Sequence, residues 1–208
     1  MASLDTSIAF FAVSLLLAYT PGPDNLFVLV QSVTRGRKAG FCIVLGLCTG
    51  LLVHTAAVAL GLAAVFAASA TAFTVLKFVG SAYLAYLGWQ AWVAPAAESP
   101  SADLESPDLL RMYARGVIMN LTNPKVVVFF LAFLPQFVRT GGASVVLQLV
   151  WLGFLFILAT VVAFGSIAYF AAAVGQALRR SARVQRALNR TAAVVFLGLA
   201  ASLAIAGR

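Results

Sequence analysis

Six long apolar stretches, joined by short polar or basic connections, constrain this chain more than any other feature. They run from about Thr6 to Val33, Ala39 to Phe66, Ala72 to Val93, Tyr113 to Val138, Ser144 to Val174 and Leu188 to Ala206. A helix crosses the hydrocarbon layer of a bilayer with about 20 apolar residues, so each stretch reads as one crossing. The chain is therefore expected to be an all-α integral membrane protein with six transmembrane helices. A water-soluble fold is excluded because 62% of the 208 residues are apolar and only 10% charged, too little polar surface to coat a globule.

The segment 94–110 carries Glu98, Asp103, Glu105, Asp108 and three prolines, Pro95, Pro100 and Pro107, and is the one polar linker. It divides the chain into a three-helix unit, 1–93, and a second, 111–208. The formal charge of +8 would suggest nucleic acid in a soluble protein. Here the basic residues lie between apolar segments, as orientation signals do, without the aromatic interleaving of a nucleic-acid surface. Arg35, Arg37 and Lys38 follow the first stretch, Arg111 and Arg115 the linker, and Arg179, Arg180, Arg183, Arg186 and Arg190 the fifth stretch. The opposite connections hold Arg139 and Arg208, so the three basic connections are expected in the cytoplasm and both termini in the periplasm. Arg179, Arg183, Arg186 and Arg190 share a helical face suited to anionic headgroups. The first basic residue is Arg35, so the N-terminus lacks the positive region of a secretory signal and the first stretch is read as retained.

The first stretch is interrupted near its middle by Thr20-Pro21-Gly22-Pro23-Asp24-Asn25. Pro21 and Pro23 carry no backbone N–H, so the carbonyls of Leu17 and Tyr19 lose their helical partners. Unpaired backbone at membrane depth is tolerated where it is buried in protein or lines a polar cavity, as in the discontinuous helices of transporters. The fourth stretch repeats the device with Asn120-Leu121-Thr122-Asn123-Pro124-Lys125, where Pro124 frees the carbonyl of Asn120. Three helices per half reverse the orientation of the second half, so the pattern fits an inverted repeat with a shared central site. Aligning the halves sets Gly22-Pro23-Asp24 against Asn123-Pro124-Lys125 and brings opposite charges to that centre. Either charge alone would cost about 2.5 to 3.5 kcal/mol at a helix centre, so each should face a partner, water or substrate.

The remaining polar residues have plainer readings. His54 lies on an arc with Gly46, Gly50, Ala57 and Gly61, a small-residue stripe suited to close helix contact, and reads first as a hydrogen-bonded packing residue. Lys77 shares an arc with Gly80 and Gly88 and is expected to snorkel to the outer interface. Cys42 and Cys48 fall on different faces of one helix, without metal or redox spacing. Tyr83, Tyr86, Trp89 and Trp92 read as packing and interfacial belt.

Several motifs occur in a fixed order: Thr20-Pro21-Gly22-Pro23-Asp24 leading into Arg35-Gly36-Arg37-Lys38-Ala39-Gly40; Gly80 to Gly88 as GSAYLAYLG; and Asn123-Pro124-Lys125 through Phe129-Phe130 to Leu134-Pro135-Gln136-Phe137. With these the chain resembles the lysine exporter superfamily, in its homoserine/threonine-resistance branch, over essentially its whole length. The resemblance implies a multi-pass exporter of amino acids or close derivatives in the bacterial inner membrane, driven by an ion gradient rather than by ATP, and here read as proton-coupled. Consistent with that, no phosphate-cradling glycine loop ending in Lys-Ser or Lys-Thr is found.

The leading reading is thus an efflux carrier rather than an enzyme, with no cofactor. Asp24 and freed carbonyls would receive the ammonium of a small zwitterion, and Lys125 with amide donors its carboxylate. The substrate-binding candidates are Thr20, Pro21, Gly22, Pro23, Asp24 and Asn25 on the first break and Asn120, Asn123, Pro124 and Lys125 on the second. Asp24 and His54 are the candidate proton carriers, and no metal ligand is assigned. The partners are the substrate and the bilayer, with homo-oligomer formation left open. A metal-ion exporter is the alternative, and it would need several Asp, Glu, His or Cys side chains facing one cavity. A cysteine-based redox protein needs a pair that can meet, and a purely structural membrane protein leaves two charged helix breaks without a purpose.

Overall fold

The computed structural model describes residues 3–68, 70–93, 108–139, 144–171 and 182–205. Among these every regular element is helical. Helix α1 (Leu4–Tyr19) is followed across the first break by α2 (Pro23–Arg35), and these are followed by α3 (Arg37–Ala68) and α4 (Ala70–Val93). Helix α5 (Leu109–Thr122) leads across the second break into α6 (Pro124–Val128), which continues as a π turn (Phe129–Phe133) and a 3-10 turn (Leu134–Phe137). Helices α7 (Val145–Tyr169) and α8 (Ala182–Ile205) complete the order. Most of the linker, residues 94–107, lies outside the described residues, as do Arg179, Arg180, Arg208 and the side chain of Lys77.

Local chemistry sets the boundaries. The Ser3 hydroxyl accepts from the Thr6 amide and caps α1, while the Asp108 carboxylate accepts from the amides of Leu110 and Arg111 and caps α5. Gly36 alone separates α2 from α3. Its φ of 88° is a left-handed value that glycine adopts without the steric cost other residues meet.

Helices α3 and α7 are each long and apolar enough to cross a membrane. The pair α1–α2, bent by 63°, and the pair formed by α5 with Pro124–Phe137, bent by 50°, pass the same test as broken spans. Helix α3 packs on α5 and α7, α1 on α7, α2 on α3, and α4 on α8. The outer surface is apolar, with Leu4, Leu60 and Leu110 among its most exposed side chains. Lipid, which offers no hydrophobic drive between helices, leaves close backbone approach to hold the bundle.

That approach is visible at the glycines. A Cβ on Gly46 would strike the Tyr113 carbonyl, and one on Gly116 the Ile43 carbonyl, so α3 and α5 touch backbone to backbone. At Gly50 it would lie 2.6 Å from Asn120 Oδ1, and at Gly88 2.9 Å from Leu197 Cγ on α8. Gly80 abuts Ala132. The small-residue stripe on α3 ends there: among the described residues Gly61 has nothing within 4 Å, and Ala57 is exposed. The reason is the second break, since α5 ends at Thr122, two residues past Asn120, and the chain then bends away.

Side-chain pairs fix the directions of the helices. Trp151 Nε1 donates to Ser7 Oγ, and Tyr19 and Ser166 share a hydrogen bond further along, so α1 and α7 run parallel. Gly153 meets Thr55 and Gly40 meets Ala168, so α3 and α7 run antiparallel. Ile43 meets Gly116 and Gly50 meets Asn120, so α3 and α5 run parallel. The end of α2, the starts of α3 and α5 and the end of α7 therefore lie at one end of the bundle. Arg35, Arg37, Lys38, Arg111 and Arg115 gather there, with Arg37 4.5 Å over the Tyr169 ring. Arg190 lies 5.6 Å over the Trp92 ring at the end of α4, which returns to the same side. These arginine–aromatic pairs are of the kind that anchors a helix end at the interface.

Two outcomes follow. Gly50→Leu and Gly88→Leu should lower the yield of folded protein, at about 1–3 kcal/mol of overpacking each, whereas Gly61→Leu should accumulate normally in the same fluorescence-detected size-exclusion assay. A reporter fused after Arg208 should behave as periplasmic, because α8 runs from the end that holds the basic groups to Ile205 at the other end; cytoplasmic activity in a functional fusion would reverse the orientation.

Candidate functional site

The two breaks meet in the middle of the bundle, at the seam between two apolar clusters. Leu17 belongs to the cluster with Phe10, Leu51, Phe129 and Phe130, and Ala18 to the cluster with Val28, Ile43, Met112 and Phe164. Between them lie Thr20, Asp24, Asn25, Asn120, Asn123 and Lys125, all buried; Asp24 is 3% exposed and Lys125 7%. The prolines that make the breaks, Pro23 and Pro124, are exposed, and Pro21 and Gly22 are half-buried. Pro23 and Pro124 are each the first residue of a new helix, where a missing N–H costs nothing.

The carbonyls freed by the breaks are taken up across the molecule. Lys125 Nζ donates to the Leu17 carbonyl at 3.1 Å and to the Thr20 carbonyl at 3.2 Å. Asn25 Nδ2 donates to the Ala18 carbonyl at 2.7 Å. Leu17 is the acceptor its spacing to Pro21 predicts. Ala18 and Thr20, rather than Tyr19, supply the others, because the chain turns through 63° at this point and re-aims them. In the second break the Asn120 carbonyl accepts from the Asn123 amide at 3.2 Å and faces His54 Nε2 at 3.3 Å. A carbonyl only accepts, so Nε2 carries the proton of that bond. His54 also lies against the Phe130 ring.

Asp24 and Lys125 reach this layer without forming an ion pair within 4.0 Å. Asn123 stands between them: its Nδ2 donates to Asp24 Oδ2 at 2.6 Å while its Oδ1 accepts from the Lys125 amide at 3.0 Å and caps α6. The two charges that the aligned breaks bring to one centre are linked through Asn123, since the asparagine at the second break satisfies the carboxylate and the helix start together. The start of α2 has no such cap, because Gly22 offers no side chain. A Cβ on Gly22 would lie 3.6 Å from Lys125 Nζ and 3.7 Å from Asn25 Oδ1.

Three buried oxygens of this layer, Asp24 Oδ1, Asn25 Oδ1 and Asn120 Oδ1, have no hydrogen-bond partner among the described residues. A buried acceptor left unpaired costs about 1–3 kcal/mol, so the layer favours a molecule that brings donors. Gln31 Oε1, two turns further along α2 on the same face as Asp24, is a fourth. It escaped the sequence reading because a single glutamine in an apolar run carries no spacing signal. Cys42 and Cys48 are half-buried, unpaired and packed in the second apolar cluster.

Fold and layer together define a helical membrane protein with two broken spans meeting at a buried, charged centre. The chain belongs to the LysE type translocator family, whose profile matches residues 15–207. It is 32% identical over 198 residues to the homoserine/homoserine lactone efflux protein of Salmonella typhimurium, covering 95% of each chain. It is 36% identical over 130 residues to the protein of the same name from Salmonella typhi, covering 62% of this chain and 63% of that one. A membrane protein of Vibrio cholerae is 31% identical over 207 residues, covering 96% of each. No solved structure matches the chain. The protein is thus a multi-pass bacterial membrane protein of a transporter family.

The geometry assigns His54 the part of a donor to the Asn120 carbonyl. His54→Gln, which keeps an N–H in reach, should remain folded, and His54→Phe should lower thermal stability by about 1–3 kcal/mol for the carbonyl left with a weaker set of partners. Equal stability of the two variants would remove the bond from the account of this break.

Proposed function

We propose that the protein is a secondary active efflux carrier for amino acids or close derivatives such as homoserine, coupled to the proton gradient. It would cross the membrane six times, as two inverted three-helix repeats joined by the segment 94–110. Four of these spans are α3, α7 and the two bent pairs, and the other two are α4 and α8. The packing supports this repeat. Exchanging each span of the first half for its counterpart in the second turns the α1–α7 contact into the α5–α3 contact, and leaves α4–α8 and α3–α7 in place. The three groups of basic residues at one end would face the cytoplasm.

One observation carries the substrate reading: an ammonium and a carboxylate with a free oxygen are buried together where two broken spans meet. In this reading Asp24 Oδ1 and Asn25 Oδ1 receive the substrate's ammonium. Its carboxylate lies toward Lys125 and the uncapped start of α2, whose amides and helix dipole favour an anion. Thr20, Pro21, Gly22, Pro23, Asn120, Asn123 and Pro124 shape the two breaks that hold these groups. Homoserine, in the names of the Salmonella relatives, is such a zwitterion, while homoserine lactone, in the same names, keeps the primary amine but has no free carboxylate. A metal-ion cargo is less well served, since among the described residues no three His, Cys, Asp or Glu side chains come together. Asp24 and His54, the latter beside the second break, would carry the coupled proton.

The test is export from loaded cells. Cells expressing the protein and fed dipeptides should release one class of amino acid faster than control cells, and a protonophore should abolish the difference. Asp24→Asn and Lys125→Met should each reduce that release at least tenfold at equal protein level. Unchanged release with metal tolerance raised instead would favour the metal-ion reading.

A further inference from the structure

We infer that the carbonyls of Leu17 and Thr20 form a subsite for a primary ammonium, which the tethered ammonium of Lys125 fills while the carrier is empty. This rests on the proposed efflux reading and says how the empty site is kept shut. Three observations support it. The two carbonyls lie 3.1 and 3.2 Å from Nζ, as a donor with several N–H bonds requires, and one of them is the acceptor orphaned by Pro21. Lys125 makes no ion pair within 4.0 Å with Asp24, so its charge is met by backbone oxygens that any ammonium could use. Two further oxygens beside the cradle, Asp24 Oδ1 and Asn25 Oδ1, are buried and unpaired among the described residues, so an entering ammonium finds acceptors before it displaces the lysine.

The exchange needs both ends of a zwitterion. The substrate's carboxylate draws Nζ from the cradle, and its ammonium satisfies the oxygens that Nζ leaves. Gly22 provides the approach. It is half-buried, and the place its side chain would occupy lies beside both Nζ and Asn25 Oδ1. A carrier built this way opens its broken span for a molecule carrying a primary ammonium and a carboxylate. N-acylated and quaternary amines are refused because they cannot donate to both carbonyls.

The subsite is tested on purified protein, apart from export. Lys125→Met should melt well below wild type, and methylammonium chloride should restore part of the lost melting temperature. Tetramethylammonium chloride at the same ionic strength should restore none, and neither salt should move wild type. If the variant does not survive extraction without an amine, the yield of monodisperse protein in each salt becomes the readout. Adding Gly22→Ala to Lys125→Met should abolish the methylammonium effect by covering the approach; the extended backbone of Gly22 accepts alanine. Equal action of the two salts, or a Lys125→Met protein as stable as wild type, would overturn the inference. Export by wild type would stand untouched by either result, so failure here is separable from failure of the efflux reading.

Discussion

The rest of the structure depends on one cross-span interaction, the ammonium of Lys125 on the carbonyls of Leu17 and Thr20. Without it the first span could not be broken. A 63° bend inside an apolar bundle exposes carbonyls to hydrocarbon unless another part of the chain supplies donors. Lys125 comes from the second break, so each interruption makes the other tolerable. The same bond answers the cost of the lysine itself, which at this depth needs acceptors on several sides. Asn123 extends the reciprocity by serving the Asp24 carboxylate with one end of its amide and the start of α6 with the other.

This coupling also explains how polar content is distributed through the molecule. Four small contacts, at Gly46, Gly50, Gly116 and Gly153, draw α3 against α5 and α7 closely enough for His54 to reach the Asn120 carbonyl. The close-packed helices and the polar layer are therefore one construction. Bulk added at Gly50 would press directly on Asn120 and disturb the second break from outside. The aromatic side chains Phe10, Phe129, Phe130, Phe133 and Phe156 seal one side of the layer through a chain of ring contacts.

Much of this was legible in the sequence because membrane insertion and proline each leave unambiguous marks. Apolar length disclosed the helices, and Pro21, Pro23 and Pro124 disclosed both breaks together with the freed carbonyls of Leu17 and Asn120. The partners of those carbonyls were not legible. Spacing along one helix says nothing of which side chain arrives from another, so Lys125 and His54 could be placed at depth but not joined to acceptors. The Asn123 bridge was hidden for the same reason, since opposite charges at matching positions do not reveal the third side chain that links them. The open end of the α3 stripe, at Ala57 and Gly61, depends on where α5 stops, a fact held by a different segment of the chain.

Beyond Lys125, the second broken span continues as a π turn at Phe129–Phe133, where the Leu134 amide bonds back to the Phe129 carbonyl. Its far end is fastened, because Gln148 of α7 both donates to the Arg139 carbonyl and accepts from the Arg139 amide. A π turn holds one residue more than the α-helical turn it replaces, so the segment between Lys125 and the Gln148 anchor carries one residue more than an unbroken α-helix would. The extra residue leaves Phe129, Phe130 and Phe133 all buried in the apolar cluster between the two points, so the broken span is held at Lys125, through its rings and at Arg139.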